Sequence, residues 1–539
     1  MIKNYQLPRN KLVFVIGILL ILGIFFRFVN IEQKLFHGDE CITTVRVAGF
    51  RHQEVNDLIP RNQVITPEEI KKFQRVNKSG KNLLNTIEVT AEMAPQHTPL
   101  YFLLTRIWVQ IFGDSVIVMR SLTALISLLA FPAIYWLSIE LFQSPHVGWI
   151  AVALMTVSPV HIFQAQNSRP YSLWILTILI SSAAFLRAIR HNKKSNWLLY
   201  GITMALSLYT FLFSSFVFIA HTIYILIIER FRKTKTITNY LLTSSLIFLS
   251  FSPWLFVIIT NFNTANKMTS WTGKSALFFR LVQAWLKNLC DIFIFWHYEF
   301  QKKLFISENT FTFVVGIFLL VLLLYSFYFL LQRTPQRVWL FILTLTAVSS
   351  LALVLADLVF GGRRSALGRY LFPSVLGIQL AFAYLLGTKL TSTSLNSIGI
   401  RIWQIITILI ISAGVLSNSL SSQTEAWNGM NDFIIQSSRI INQAPNPIVI
   451  SDNDIIFGVM TLNFRLAPHV KLILISESKE TTIPDGFSDV FLWQSSVKLR
   501  SQLEEKQQLS FKPVFQDYHR KGTIWETSSP ATLWKLEQI

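Results

Sequence analysis

The chain has 539 residues, of which 52% are hydrophobic and only 14% charged, against about 25% charged in a soluble domain. Several runs reach the roughly 20 apolar residues that cross a bilayer core, so a soluble globular protein is excluded and a polytopic membrane protein is indicated. The net charge of +19 is not read as a nucleic-acid footprint, because Lys and Arg fall mainly between apolar runs, where they set topology and meet anionic headgroups.

In chain order, apolar segments lie at roughly 12–30, 98–113, 116–141, 147–163, 171–190, 197–211, 214–230, 239–260, 310–331, 338–357, 370–387 and 402–418. Most lack strand-like alternation, so a mainly α, polytopic transmembrane bundle of about 11–13 spans is expected rather than a barrel. The first run has no Ala-x-Ala-like cleavage site and is expected to remain as an anchor. The segment 98–113 is only about 24 Å long as a helix. A full crossing there breaks the parity of the topology, so a tilted, re-entrant or half-inserted helix is open.

Two polar segments, 31–97 and 261–309, interrupt the apolar runs, and a third, 419–539, follows them. "ITPEEIKKFQRV" (65–76) places Thr66 as N-cap, Pro67 at the first helical position and Glu68 and Glu69 in the first turn. "NLLNTIEVTAEM" (82–93) and the amphipathic stretch 275–296 suit helices lying along the membrane interface. In the tail, "PIVIS" (447–451), "VKLILI" (470–475) and "DVFLW" (489–493) read as buried strands. "DNDIIFGVMTLNF" and "VKLRSQLEEKQ" read as helices. The expected organisation is a membrane domain over 1–418 and a small α/β extramembrane domain over 419–539. The tail has no dinucleotide fingerprint and no phosphate loop. Two cysteines, Cys41 and Cys290, make neither a disulfide framework nor a Cys-rich metal site.

Basic clusters set the orientation. Lys3, Arg9 and Lys11, "RAIRHNKK" (187–194), "ERFRKTK" (229–235) and "QRTPQR" (332–337) read as cytoplasmic. The acid pair Asp39-Glu40, "QNSRPY" (166–171), 261–309, "GGRRSALGRY" (361–370) and the tail then emerge outside.

Four features on that outer side bear chemistry. An isolated Asp-Glu pair is ordinarily a solvated helix end. Here His37, Gly38 and Cys41 surround Asp39 and Glu40 beside a span, and partial desolvation at a membrane boundary suits a carboxylate to general-base work. His97 either caps the insertion point before Pro99 or faces the same vestibule. "FQAQNSRPYSLW" (163–174) breaks an apolar run with polar residues. Arg169 there opposes the positive-inside trend, which points to an anion as its partner. Arg363, Arg364 and Arg369, with glycines at 361, 362 and 368, suit either headgroup anchoring or a phosphate clamp. A base, a histidine and arginines at the outer face fit a substrate activated on a lipid phosphate.

This arrangement resembles the GT-C membrane glycosyltransferases, specifically glycosyltransferase family 39 with the protein O-mannosyltransferase and aminoarabinose-transferase group. The residues that carry the resemblance are Asp39-Glu40 after the first span, "HTPLYFLLTRIWVQIFGDSVIVMRSL" within 97–142, and "SPVHIFQAQNSRPYSLW" within 158–180. "SPWL" (252–255) and "GRYLFPS" (368–374) add to it. The resemblance implies a sugar donor on a polyprenyl phosphate and a lipid, glycan or protein acceptor. It makes Asp39 the base of a one-step inverting transfer, with Glu40 beside it, and puts Arg169 and Tyr171 near the donor. Arginines would stabilise the leaving phosphate. Some members bind a divalent metal, to which His37, Asp39, Glu40 and His97 could contribute. The chain departs from the family in having Thr98 where Pro is common and Asn167 where Glu often stands.

The expected location is the cell membrane, multi-pass, with the site and the tail outside. A surface-polysaccharide polymerase or ligase is the alternative enzyme. A lipid-linked-sugar transporter is the non-enzymatic reading, but it favours ionisable residues at mid-membrane. Here they gather at the outer ends, apart from Asp357.

Overall fold

A computed structural model describes residues 10–295, 307–392, 396–426, 432–452, 458–475, 483–517 and 531–537. Each of the twelve apolar segments is helical. The helices are Asn10–Phe28, Leu100–Phe112, Val116–Phe142, the pair Pro145–Val157 and Pro159–Ala165, Tyr171–His191, Lys194–Thr210, Ser214–Ile228, Lys235–Thr260, Glu308–Arg333, Gln336–Phe360, Phe372–Leu390 and Ser397–Gln423. Among the described residues, six are long and apolar enough to cross a membrane, or seven if the bent pair is one span. Asn10–Phe28 (over Phe14–Phe28), Leu100–Phe112 and Ser214–Ile228 are shorter apolar helices. The protein is a multi-pass membrane protein.

The chain divides into two compact units. One comprises Met1–Ile31, Ala94–Tyr101 and Arg120–Gln423; the other comprises Glu32–Met93, Phe102–Met119 and Thr424–Ile539. The polar segment after the first helix therefore groups with the tail, whereas the sequence boundary assigned it to the membrane domain.

In the helical unit, the segment expected over 147–163 is two helices meeting at 61°. The cause is local. Pro159 has no N–H to give to the Met155 carbonyl, so the ladder breaks there. In an apolar interior the freed carbonyls need other donors. Arg27 Nη2 lies 3.4 Å from Met155 O and its Nη1 3.0 Å from Thr156 O, while Asn418 Nδ2 donates to Val157 O at 2.8 Å. Arg27 is 1% exposed, bonds Ser127 Oγ and Gly23 O as well, and stacks on Phe131 at 4.7 Å. A Cβ on Gly23 would overlap Thr156, so glycine there permits the close helix approach.

The other unit is built on a six-stranded sheet: β1 (Val64–Ile65), β2 (Pro447–Ser451), β3 (Lys471–Leu474), β4 (Asp489–Trp493), β5 (Phe511–Asp517) and β6 (Ala531–Leu536). The order is β1-β3-β2-β4-β6-β5. β3, β2 and β4 are parallel; β1, β6 and β5 join antiparallel. Alternate residues of the central strands reach one face. Ile448, Ile450, Ile473, Val490 and Leu492 pack there against Leu499 and Leu503 of the helix Val497–Gln507. On the opposite face Phe433 of the helix Asp432–Gln443 stacks near Trp493, centroids 6.2 Å apart. Of the helix expected over 452–464, Met460–Asn463 is helical and 453–457 lie outside the described residues. The same holds for 296–306 of the second polar segment.

Candidate functional site

The acid pair opens the helix Gly38–Ala48. Glu40, at the third helical position, accepts from the backbone N–H of the cap residue His37 at 3.3 Å. This is one half of a capping box, and it satisfies a donor that the first turn leaves orphaned. Its carboxylate is 0% exposed and 3.9 Å from His37 Nε2. Asp39 is half-buried, and Thr43 Oγ1 donates to its backbone carbonyl at 3.0 Å. The two carboxylates therefore differ: Glu40 is turned onto its own helix end, and Asp39 stands beside it at the end of the helix dipole that favours negative charge.

The far end of that helix is also fixed. Gly49 takes φ 85°, and the Gly49 and Phe50 amides donate back to Arg46 O and Val45 O. This left-handed turn is one that glycine adopts without penalty. Arg106 then donates to Val47 O at 2.6 Å and to Thr86 Oγ1 at 3.1 Å, and also bonds Lys81 O. Leu100–Phe112, the short apolar helix, thus carries an arginine into the polar segment's carbonyls. Arg46 stacks on Phe102 at 4.6 Å. Cys41 is buried, 3.6 Å from Thr461 Oγ1.

In the helical unit, the turn after Pro159–Ala165 carries Arg169 and Tyr171, both buried. Gln166 Nε2 staples the turn to the end of the first helix, donating to Phe26 O at 2.8 Å and Val29 O at 3.0 Å. Ser172 Oγ donates to Gln164 O, and Thr123 Oγ1 to Ala165 O, both at 3.0 Å. Tyr101 Oη lies 3.3 Å from Ser168 Oγ. His97, half-buried, sits in a turn closed by its own N–H on Ala94 O at 2.8 Å, and Trp254 Nε1 donates to Pro95 O at 3.1 Å. Three segments that carry the family resemblance, around His97, Ser168 and Trp254, are thereby joined. The side-chain oxygens of Gln164 and Asn167 are buried with no hydrogen-bond partner among the described residues.

The arginine loop is organised by Asp357. Its Oδ1 accepts from Arg364 N at 3.0 Å and Nη1 at 3.2 Å, and its Oδ2 accepts from Ser365 N at 2.6 Å and Oγ at 2.7 Å. The carboxylate is fully buried, so Arg364 has an anionic partner within the protein. Gly362, at φ 136°, leaves room for this: a Cβ would come 2.7 Å from Asp357 Oδ1. Arg363 Nε donates to Trp271 O at 3.3 Å, and burial lowers its pKa. Arg369 stacks 5.6 Å from both Trp271 and Tyr370.

An aromatic chain connects the two loops. Tyr171 meets Phe211 at 5.6 Å, and Phe211 meets Tyr370 at 6.2 Å. Tyr171 and Trp174 also contact Phe372, at 6.2 and 6.0 Å. Tyr171 and Arg369, 198 positions apart in sequence, therefore belong to one cluster.

Among the described residues, no group of three or more His, Cys, Asp or Glu side chains stands together to hold a metal. Glu40 Oε2 is engaged in capping, with His37 Nε2 3.9 Å away. Arg27 is the residue that sequence reasoning missed. Its signal was available: a charged side chain inside the apolar run 12–29.

Residues 96–256 match the family model of dolichyl-phosphate-mannose-protein mannosyltransferases. No curated protein sequence matches the chain. Among solved structures, it is similar to ArnT from Cupriavidus metallidurans bound to undecaprenyl phosphate, with a TM-score of 0.52, 12% identity and 98% of each chain covered. It is also similar to the apo oligosaccharyltransferase of Archaeoglobus fulgidus, with a TM-score of 0.50 and 14% identity. That match covers 88% of this chain but 65% of the archaeal one, so the chain spans less than two thirds of that relative's length.

Proposed function

We propose that this chain, a membrane glycosyltransferase of the GT-C group, moves a sugar from a polyprenyl-phosphate donor to an acceptor hydroxyl, with Asp39 as general base. The observation that carries the reading is the helix Gly38–Ala48, clamped at both ends and presenting a half-buried aspartate at its first turn. A base is effective when its position is fixed before the substrate arrives.

In the step itself, Asp39 takes the acceptor's hydroxyl proton as the acceptor oxygen bonds the anomeric carbon. The bond from that carbon to the phosphate oxygen breaks on the opposite face, and the electron pair leaves on the lipid phosphate. One carboxylate suffices for this inversion, unlike the paired acids of glycoside hydrolysis. Arg169, Arg363 and Arg369 hold the phosphate, where cations stabilise the charge that develops on departure. Arg364, paired with Asp357, shapes the loop that presents Arg363 and Arg369. Tyr171 supports the donor's sugar or first isoprene through the aromatic cluster, and His97 lines the acceptor side. The acceptor is a lipid, glycan or protein, and the reaction takes place at the external face of the cell membrane.

The test is release of free polyprenyl phosphate by the protein in nanodiscs, from a panel of polyprenyl-phosphate sugars. Wild type should release lipid phosphate, and folded, inserted Asp39→Asn should not. Full turnover by the mutant would remove Asp39 from the mechanism.

A further inference from the structure

Residues 261–290 contain no Asp or Glu, but they contain Lys267, Lys274, Arg280 and Lys287. Within this stretch, at the start of the helix Phe278–Asp291, three consecutive large apolar side chains face outward. Leu277 is 73% exposed, Phe278 62% and Phe279 69%. The helix's other face is fixed. Leu281, Leu289 and Cys290 are buried, and Leu286 packs so closely on Gly316 that a Cβ there would sit 3.1 Å from the leucine's own. Lys287 Nζ bonds Glu308 at 3.0 Å. The preceding turn is fixed too, because Arg363 N and Nε donate to Thr272 O at 2.9 Å and Trp271 O at 3.3 Å. The apolar triplet is therefore held out on a corner that is braced on both sides.

We propose that residues 262–280 form an interfacial anchor that inserts Leu277, Phe278 and Phe279 into the membrane and sets Lys267 and Lys274 against anionic phospholipid headgroups. Two observations select lipid as the occupant. The first is continuity. The helix Glu308–Arg333, on which this corner packs, exposes Phe313, Val314 and Ile317, and the preceding span exposes Phe256 and Ile259, followed by Phe262. The wedge extends an apolar belt that is lipid-facing in a membrane protein. The second is charge. Exposed lysines with no acid among them, beside an aromatic-apolar edge, have the composition of a helix that lies in the headgroup plane of an anionic leaflet. This anchor goes beyond the transfer reaction and holds whatever sugar is carried.

The experiment uses full-length protein in nanodiscs with a nitroxide at Phe279→Cys, and separately at Ser275→Cys. Cys41 and Cys290 are buried, so labelling is confined to the introduced thiol, and unsubstituted protein gives the background. Collision rates with oxygen and with a water-soluble nickel chelate report depth. In discs containing phosphatidylglycerol, the label at 279 should favour oxygen and the label at 275 should sit at headgroup level. Replacing phosphatidylglycerol by phosphatidylcholine, or introducing Lys267→Glu with Lys274→Glu, should lower the oxygen-to-nickel ratio at 279 roughly twofold or more. A label at 279 as open to nickel as a water-exposed site would overturn the proposal. So would a depth indifferent to lipid charge. A label closed to both reagents would place protein over the corner, and dipolar broadening between labels would identify it as a second copy of the chain.

Discussion

Asp357→Asn should release the arginine loop. The carboxylate receives four donors, two per oxygen, from Arg364 and Ser365, and it is fully buried. Asparagine keeps one acceptor oxygen and turns an NH₂ towards donors that previously met an oxygen. Breaking one partner of a buried charge pair costs about 3–5 kcal/mol, and the lower end applies here because the Arg364 side chain is 32% exposed. Leaving two buried donors unpaired, at about 1–3 kcal/mol each, gives about 2–6 kcal/mol, which brackets that range. If the loop opens locally, protection of the Arg364 and Ser365 amides should fall by roughly two orders of magnitude. Hydrogen exchange of peptides covering 357–367 in nanodiscs measures this, with the first turns of the helix Gln336–Phe360, away from Asp357, as an unchanged reference. Protection within a factor of a few of wild type would refute the reasoning, because the loop would then be held by something other than the carboxylate.

Gly49→Ala should destabilise the helix that carries Asp39. The left-handed φ costs about 1–2 kcal/mol, and the new methyl meets Lys81 and Asn85 Cβ atoms at 3.0 and 3.1 Å. Thermal unfolding should begin several degrees lower and donor turnover should fall with it; wild-type behaviour in both would count against the clamp. Burial alone would raise the Glu425 pKa, but Arg439 and Arg465 outweigh it and hold the group below its ordinary value. Its stabilisation is thus present above the unfolded carboxylate range and lost as pH falls through the lowered value. Glu425→Gln should destabilise by on the order of 1 kcal/mol at pH 7 and flatten the acid side of a melting-temperature profile; an unchanged profile would dismiss the pair. Arg169→Ala should raise the donor KM more than it changes acceptor saturation, and unchanged donor saturation would remove it from the phosphate site.

What the sequence made legible follows from the range of the forces involved. Apolar runs report burial residue by residue, and each of the twelve became a helix. The strands 447–451 and 489–493 were found to the residue, because a short run rich in β-branched and aromatic residues, with polar residues at its ends, has few other outcomes. β1 was not found. It has two residues, and its partner β3 lies some four hundred positions away, with no local pattern to announce it. β5 and β6 read as mixed polar sequence, because they complete the sheet from one side rather than forming its centre. At the site, Asp39 and Glu40 looked equivalent in sequence; they were separated by a capping bond that depends on which residue falls at the third helical position. Arg364 looked like a free cation until the loop folded back onto Asp357, seven residues upstream. Arg27 stood out in sequence only as a lone charge within an apolar run, and its donors answer a break that Pro159 makes predictable.

The pairing of β1 with β3 also bears on how the protein is made. A ribosome adding roughly 5–20 residues per second needs about 20–80 s to travel from Val64 to the strand at Lys471–Leu474. Throughout that interval the early strand waits without its partner while every membrane helix between them is threaded and released. The sheet can close only afterwards. Lesions in the last quarter of the chain would therefore leave a fully inserted bundle with an unfinished sheet unit. Quality-control proteases that meet the unfolded sheet unit, rather than the insertion machinery, would be the first to detect them.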